Sequence, residues 1–254
     1  MNSNQVSLYT IKQKNIVKSN NKNDKKKNIK ELNEFNEELF NKIKNDKNFI
    51  ITLGGDHSIA ISTILASKQK NDNLGIIWID SHADYHNFDT TISGNIHGTP
   101  FATVTGQNKD EVSYFAKGNY VDPKNVVLLG ARDVESPEYI NLEKAGVKVI
   151  TTEDIKKGNI KEIVRDVFNY IKAKNIHISF DLDVTDPIEL PGVSVKAKDG
   201  LSINKVQEII DEVLNNIERI KSFDIVEFNP LLDKNDITYN VLNEILEKLI
   251  NKLK

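Results

Sequence analysis

From residue 49 onward, short continuous apolar runs alternate with longer stretches in which apolar residues return every three or four positions. The runs fall at residues 49–53, 76–79, 126–129, 147–150, 176–180 and 223–226, and the helical-period stretches at 59–68, 137–145, 160–172, 203–217 and 241–253. A continuous apolar run suits a strand buried on both faces, and amphipathic helices between such runs supply the covers. The pattern predicts an α/β fold: a three-layer domain with a mostly parallel central β-sheet flanked by helices. No linker rich in Pro, Gly or Ser and no internal repeat divides it, so residues 31–254 read as a single domain. Ahead of the first run, Leu32, Phe35, Leu39, Phe40 and Ile43 predict an amphipathic helix over residues 29–43. Residues 13–30 carry almost nothing to bury and read as a mobile loop, with Lys25, Lys26 and Lys27 solvated. Val6, Leu8 and Thr10 alternate with Ser7 and Tyr9 in the manner of a short strand. Residues 1–30 are therefore expected to form a poorly ordered or divergent front segment.

Composition narrows the chemistry. The 254 residues include no cysteine, which removes disulfides, thiolate zinc sites, iron–sulfur clusters and cysteine nucleophiles together. The 34 Lys and Arg against 37 Asp and Glu leave a formal net charge of −3, which argues against nucleic acid as a partner. No apolar run approaches the length of a membrane span and no basic-then-apolar leader opens the chain, so a cytoplasmic protein with no membrane contact is expected. Any chemistry must use His, carboxylates, Ser, Thr or Lys.

Ligands of parallel sheets bind beyond the carboxyl ends of the strands, and four predicted strands here run straight into polar residues. Residues 50–53 lead into Gly54-Gly55-Asp56-His57-Ser58, and 76–79 into Asp80-Ser81-His82-Ala83-Asp84. Residues 176–180 lead into Asp181-Leu182-Asp183, and 223–226 into Glu227-Phe228-Asn229-Pro230. Asp80, His82 and Asp84 at period two would face one side of an extended segment. Carboxylates and imidazoles gathered this way repel one another unless a cation neutralises them. The donor set is oxygen and imidazole, which suits hard or borderline divalent ions such as manganese. It exceeds what one ion needs, so the residues themselves point to a binuclear metal hydrolase with a hydroxide between two ions.

The ordered motifs GGDHS, DSHAD, SFDLDVTDP and EFNP resemble those of the ureohydrolase superfamily of arginases, agmatinases and related amidino hydrolases. The segment SGNIHGTP at residues 93–100 looks like arginases in particular. The resemblance, over roughly residues 49–253, implies the arginase-like fold and two Mn2+ ions per chain. One ion would be held by His57, Asp80, Asp84 and Asp181, the other by His82, Asp80, Asp181 and Asp183. By the same resemblance His97 handles protons for the leaving amine and Glu227 receives the substrate guanidinium. Ser93 and Asn95 fall at positions that contact the carboxylate end of the amino acid. Glu135 falls where an acid reads the α-amino group, with Glu138 supporting it through water. His86 stands where arginases usually carry Asn, a position that contacts the substrate carboxylate; as residues alone, a surface-loop histidine reads equally well. The resemblance also implies a small guanidino substrate, L-arginine giving ornithine and urea, and a homo-oligomer, a trimer or hexamer.

Plainer readings apply elsewhere. His177, inside an apolar run, reads as a packed core histidine, Trp78 as core, and Arg132 with Asp133 as a structural ion pair. Two features depart from the family. After Pro191-Gly192-Val193 the chain reads Ser194-Val195-Lys196 in place of the usual Gly-Thr-Pro, and an inward Lys196 would repel a cationic substrate. Only 53 residues, none of them glycine, precede Gly54 where the family usually has a strand, a glycine-rich loop and a further strand, so an unpaired sheet edge is expected. Within the class an agmatinase or guanidinobutyrase is the alternative, and these departures keep open a metal-binding homologue without turnover.

Overall fold

The computed structural model describes Thr10, Lys26 and residues 28–254. Residues 6–9 of the alternation and most of the polar segment at 13–30 lie outside the described residues. Helix α1 (Ile29–Ile43) is followed by strand β1 (Ile50–Leu53), helix α2 (Ala60–Lys70) and strand β2 (Leu74–Ile79). Next come α3 (Pro100–Val104), β3 (Val126–Ala131), α4 (Ser136–Ala145), β4 (Lys148–Thr151), α5 (Thr152–Lys157) and α6 (Ile160–Tyr170). The chain ends with β5 (Asn175–Asp181), α7 (Ile203–Leu214), β6 (Ile220–Val226) and α8 (Ile237–Leu253).

The six strands form one sheet in the order β1-β6-β5-β2-β3-β4, and every pairing is parallel. Alternation along each strand divides the core in two. Ile77, Ile79, Ile176, Ile178, Phe180, Phe223 and Ile225 pack against α6, α7 and α8 on one face. Ile76, Trp78, Val126 and Leu128 pack against α1, α2 and α3 on the other. In α6 the buried set Ile160, Val164, Val167 and Phe168 follows the helical period. Each such side chain contributes roughly 1.5–3 kcal/mol of burial, so the amphipathic stripe determines which face of the helix meets the sheet.

The structure adds detail that the periodicity lacked. Helix α8 begins at Ile237, four residues before the expected 241, and α7 stops at Leu214 with a separate 3-10 turn at Ile217–Arg219. Short helices α3 and α5 were not in the expected pattern; five or six residues are too few to show a 3.6-residue period. Strand β5 is apolar on one face only. On the other, His177 is fully buried, with Nδ1 2.6 Å from Ser222 Oγ and Nε2 3.0 Å from Asp224 Oδ2. Thr63 donates to the same Asp224 oxygen and Ser222 donates to Ser67 Oγ, so β5 and β6 meet α2 through a polar ladder. Among the described residues β1 pairs only with β6, and its last residue, Leu53, is exposed.

Candidate metal centre and active site

Because all six strands run the same way, their carboxyl ends share one edge of the sheet. The four strands that lead into polar residues, β1, β6, β5 and β2, are also consecutive neighbours. The same local device turns the chain at three of them. Asp56 Oδ1 accepts from Ser58 N (2.9 Å), Asp80 Oδ1 from His82 N (2.7 Å) and Asp181 Oδ1 from Asp183 N (2.8 Å). An Asp that accepts the backbone N–H two residues on closes a tight turn without needing glycine. The extended repeat predicted over residues 80–84 is thus replaced by a bend, and Asp84 returns to the cluster through a left-handed backbone, φ 50°. Glu227 also lies in the left-handed region, φ 65°. For non-glycine residues this costs about 1 kcal/mol or more, and such strain collects where side chains must be aimed.

His57 Nδ1 lies 3.0 Å from Asp181 Oδ2, 3.1 Å from Asp80 Oδ2 and 3.3 Å from Asp84 Oδ2, yet makes no aligned hydrogen bond to any of them. Its other nitrogen, Nε2, is 2.9 Å from Ser179 Oγ, and the ring stacks on Trp78 at a 4.0 Å centroid distance. The Trp78 indole N–H donates to Asp80 Oδ2 (2.9 Å). His82 Nδ1 lies 3.0 Å from Asp183 Oδ2 and 3.6 Å from Asp80 Oδ1, and Ser81 Oγ donates to Asp183 Oδ1 (2.6 Å). Two groups result, His57–Asp80–Asp181 with Asp84 beside it, and Asp80–His82–Asp183, and Asp80 belongs to both. A buried imidazole nitrogen ringed by carboxylate oxygens that it does not hydrogen-bond is the donor arrangement of a cation site, and oxygen–imidazole chemistry fits a hard or borderline divalent ion. The residues present therefore fit the two ions that the motifs imply.

The electrostatics agree. Burial alone would lower the His57 pKa, but Asp181 and Asp80 outweigh it and hold the imidazole well above its ordinary value. Burial likewise opposes protonation of His82, and Asp183 with Asp80 raises it to about 12. Burial, together with the Asp80 charge, pushes Asp84 well up, and burial with the Asp183 and Asp80 charges does the same to Asp181. Asp80 moves down despite burial because the imidazoles of His57 and His82 lie against it. Without metal, protons supply the positive charge that this carboxylate cluster demands.

Above the cluster opens a cleft of about 260 Å³. Its lining includes His57, His82, Asp84, Asp181, Asp183 and Glu227, and also His86, Ser93, Asn95, His97, Glu135 and Glu138; Asp80 is wholly buried. The predicted site residues are thus brought to one place. Glu227 Oε1 accepts from the His57 backbone N–H (2.9 Å). Burial first, then the Asp56 charge, raises its pKa to about 7. Polar atoms of Asp56, His97 and Glu227 lie within 4.8 Å of one another. Ser93 Oγ accepts from Asn95 N (3.1 Å) and so shapes its own loop.

Several residues act differently from their sequence reading. Glu138 reaches its neighbour through the backbone: Oε2 accepts from Glu135 N (3.0 Å) and Oε1 from Tyr85 N (2.9 Å). Arg132 is not the ion-pair partner of Asp133. Its guanidinium donates to the carbonyls of Asp183, Val184, Thr185, Ala197 and Lys198, clamping the 194–199 loop onto the turn that carries Asp183. Asp133 Oδ2 instead lies 3.8 Å from His82 Nε2. Lys196 is exposed and does not line the cleft, whereas Val195 does. Thr91, Val195 and Asp133 are cleft residues that the sequence reading gave no such place, because each lies in an irregular segment with no periodicity to fix its direction.

Fold and site together define a metal-dependent α/β hydrolase whose chemistry sits at the carboxyl edge of a parallel sheet. The chain matches the model of the Arginase family over residues 2–251. It is 39% identical to an arginase of Plasmodium berghei over 243 residues, covering 89% of this chain and 68% of that one. A second relative, an arginase of Bacillus subtilis, is 35% identical over 237 residues, 91% of this chain and 80% of the other. Among solved structures, arginase from Bacillus caldovelox superposes with a TM-score of 0.83 at 28% identity, covering 94% of this chain and 81% of that one. The chain belongs to the arginase family, hydrolases that act on amidino C–N bonds.

Proposed function

We propose that the chain is a manganese-dependent arginase that hydrolyses L-arginine to L-ornithine and urea. The observation that carries the reading is the convergence of three carboxylate oxygens on His57 Nδ1 at the floor of a cleft that also holds Glu227 and His97. Two ions, one on His57, Asp80, Asp84 and Asp181 and one on His82, Asp80, Asp181 and Asp183, would supply hydroxide near neutral pH by lowering the pKa of bound water. Glu227, anchored through Oε1 to the His57 backbone, receives the planar guanidinium by charge-assisted hydrogen bonds. Fixing the cation there holds its carbon over the carboxylate floor and removes the orientational part of the barrier. Addition at that carbon must be followed by loss of the substrate's side-chain nitrogen, which leaves as an amine only after taking a proton. His97 gives it, a role supported by its closeness to Glu227. Ser93, Asn95, His86, Glu135 and Glu138 form the wall that meets the amino-acid end of the substrate.

Urea release from manganese-loaded protein, measured separately with L-arginine and agmatine, tests this. Turnover of arginine, lost in Asp183→Ala, is the expected result. Turnover of agmatine alone would reassign the substrate, and metal-loaded folded protein silent on both would make the chain a non-catalytic homologue. The same reading extends to a homo-oligomer, a trimer or hexamer. It is supported by the apolar side chains of Ile188 and Leu231, each 91% exposed, on two loops joined by the Asn229 N to Gly192 O bond. Sedimentation equilibrium measures it.

A further inference from the structure

His86 is held on every side yet belongs to neither metal group. Its backbone N–H donates to Gly98 O (3.1 Å) and its carbonyl accepts from Asn108 Nδ2 (3.2 Å). Its side chain is 8% exposed, with Nδ1 3.3 Å from Thr90 Oγ1. Nε2 points between two carboxylates, 3.2 Å from Glu135 Oε2 and 3.6 Å from Glu138 Oε2. Acceptor oxygens of both acids lie around Nε2, so a proton on that nitrogen would meet either of them.

The two acids differ. Glu138 is buried, and each of its oxygens already accepts a backbone N–H, from Tyr85 and from Glu135. Its carboxylate is committed to tying the start of α4 to the segment after Asp84. Glu135 is half exposed and lines the cleft; its carboxylate lies 3.2 Å from His86 Nε2 and also meets the Glu138 backbone N–H in the reciprocal cap that opens α4. A freely rotating glutamate at a cleft mouth must be ordered each time it binds a cation, at a cost in affinity; one already held by an imidazole does not. With Nδ1 beside Thr90 and Nε2 between the two acids, His86 lines the cleft with its ring nitrogens turned to protein groups.

We propose that His86 is a positioning residue for substrate selection. It holds the Glu135 carboxylate ready for the α-ammonium group of an amino-acid substrate, and so sets a preference for guanidino compounds bearing that group over those lacking it. The inference rests on the arginase reading above and adds that His86 acts through Glu135 rather than by contacting the substrate carboxylate.

The test compares L-arginine with 5-guanidinopentanoate, which is arginine without its α-amino group. It records KM and kcat, or Ki where the second compound is not turned over, with melting temperature and manganese content as controls. His86→Phe is expected to raise KM for arginine roughly 3- to 10-fold, with the loss in KM rather than kcat and no matching change for 5-guanidinopentanoate. His86→Gln, whose amide N–H can reach Glu135, should recover most of the loss. Glu135→Gln combined with His86→Phe should be no worse than Glu135→Gln alone, because residues acting in series do not add. His86→Asn, too short to reach Glu135, gives the same split should the phenylalanine variant fail to fold. Equal KM changes for both compounds, a loss confined to kcat, or additive effects in the double variant would overturn the proposal. Wild-type protein that releases no urea from arginine overturns the arginase reading itself, and the inference falls with it.

Discussion

At the scale of single residues, the metal floor depends on side chains that touch no ion. Ser179 Oγ is the partner of His57 Nε2 and thereby fixes which nitrogen faces the carboxylates. Partners of this kind typically contribute 10–100-fold in metal affinity. Ser179→Ala is therefore expected to weaken manganese binding by roughly tenfold, measured by competition with a chromogenic chelator, while the fold is retained. On the proposed function Glu227 has a different task, holding the substrate cation. Glu227→Gln should keep its metal content and lose on the order of 10–100-fold in kcat/KM, the range of a hydrogen bond to a charged group. That these carboxylates and imidazoles gather at one edge was legible from type and position alone, since four strand ends carry them. The orientations of Glu138, Arg132 and Asp133 were not, because each is decided by which backbone groups lie nearby in space. Arg132 shows why: five carbonyls from two distant segments draw its guanidinium, and none is near it in sequence.

Among the elements, the parallel strands and the long helices follow from periodicity, and their ends follow from local chemistry. Helix α5 starts with a reciprocal cap, Asp154 N donating to Thr151 Oγ1 (3.1 Å) and Thr151 N donating to Asp154 Oδ2 (2.9 Å). Thr151→Ala should cost about 1 kcal/mol at neutral pH, by urea denaturation. The Thr151 hydroxyl and backbone N–H hold the Asp154 carboxyl below its ordinary value. A depressed pKa means that the native state favours the ionised form, so its contribution is present above the ordinary carboxylate range and is lost as pH falls through it. Melting temperatures of Asp154→Asn and wild type should accordingly converge below about pH 4. Strand β3 carries a second constraint. Gly130, at φ +107° where the β3–β4 register shifts, leaves room that an added Cβ would fill 2.5 Å from Val184 Cγ2 and 3.1 Å from the Asp80 carbonyl. Gly130→Ala is expected to destabilise the protein by about 1–3 kcal/mol and to weaken manganese binding by displacing Asp80. The polar ladder of His177, Ser222 and Asp224 was only half legible. The histidine was recognisable as packed, but its partners lie on β6, and strand order cannot be read from local pattern.

For the whole molecule, parallel topology is what turns four separate motifs into one centre. With β1, β6, β5 and β2 adjacent and aligned, their carboxyl ends deliver His57, Glu227, Asp181 and Asp80 to the same edge. The cluster then opposes folding unless its charge is balanced. Removing metal with a chelator should lower the melting temperature. Restoring manganese at about 100 times its dissociation constant should return roughly 2.7 kcal/mol, or about 5–10 °C, for each ion bound by a chain of this size. On the proposed function, this edge holds two ions that together make guanidino hydrolysis possible. The most direct test is the rate of urea release from L-arginine measured against manganese bound per chain. The rate is expected to climb steeply between the first and second ion and to level off at two. A plateau reached at one ion, or no urea from folded protein carrying two, would contradict the account.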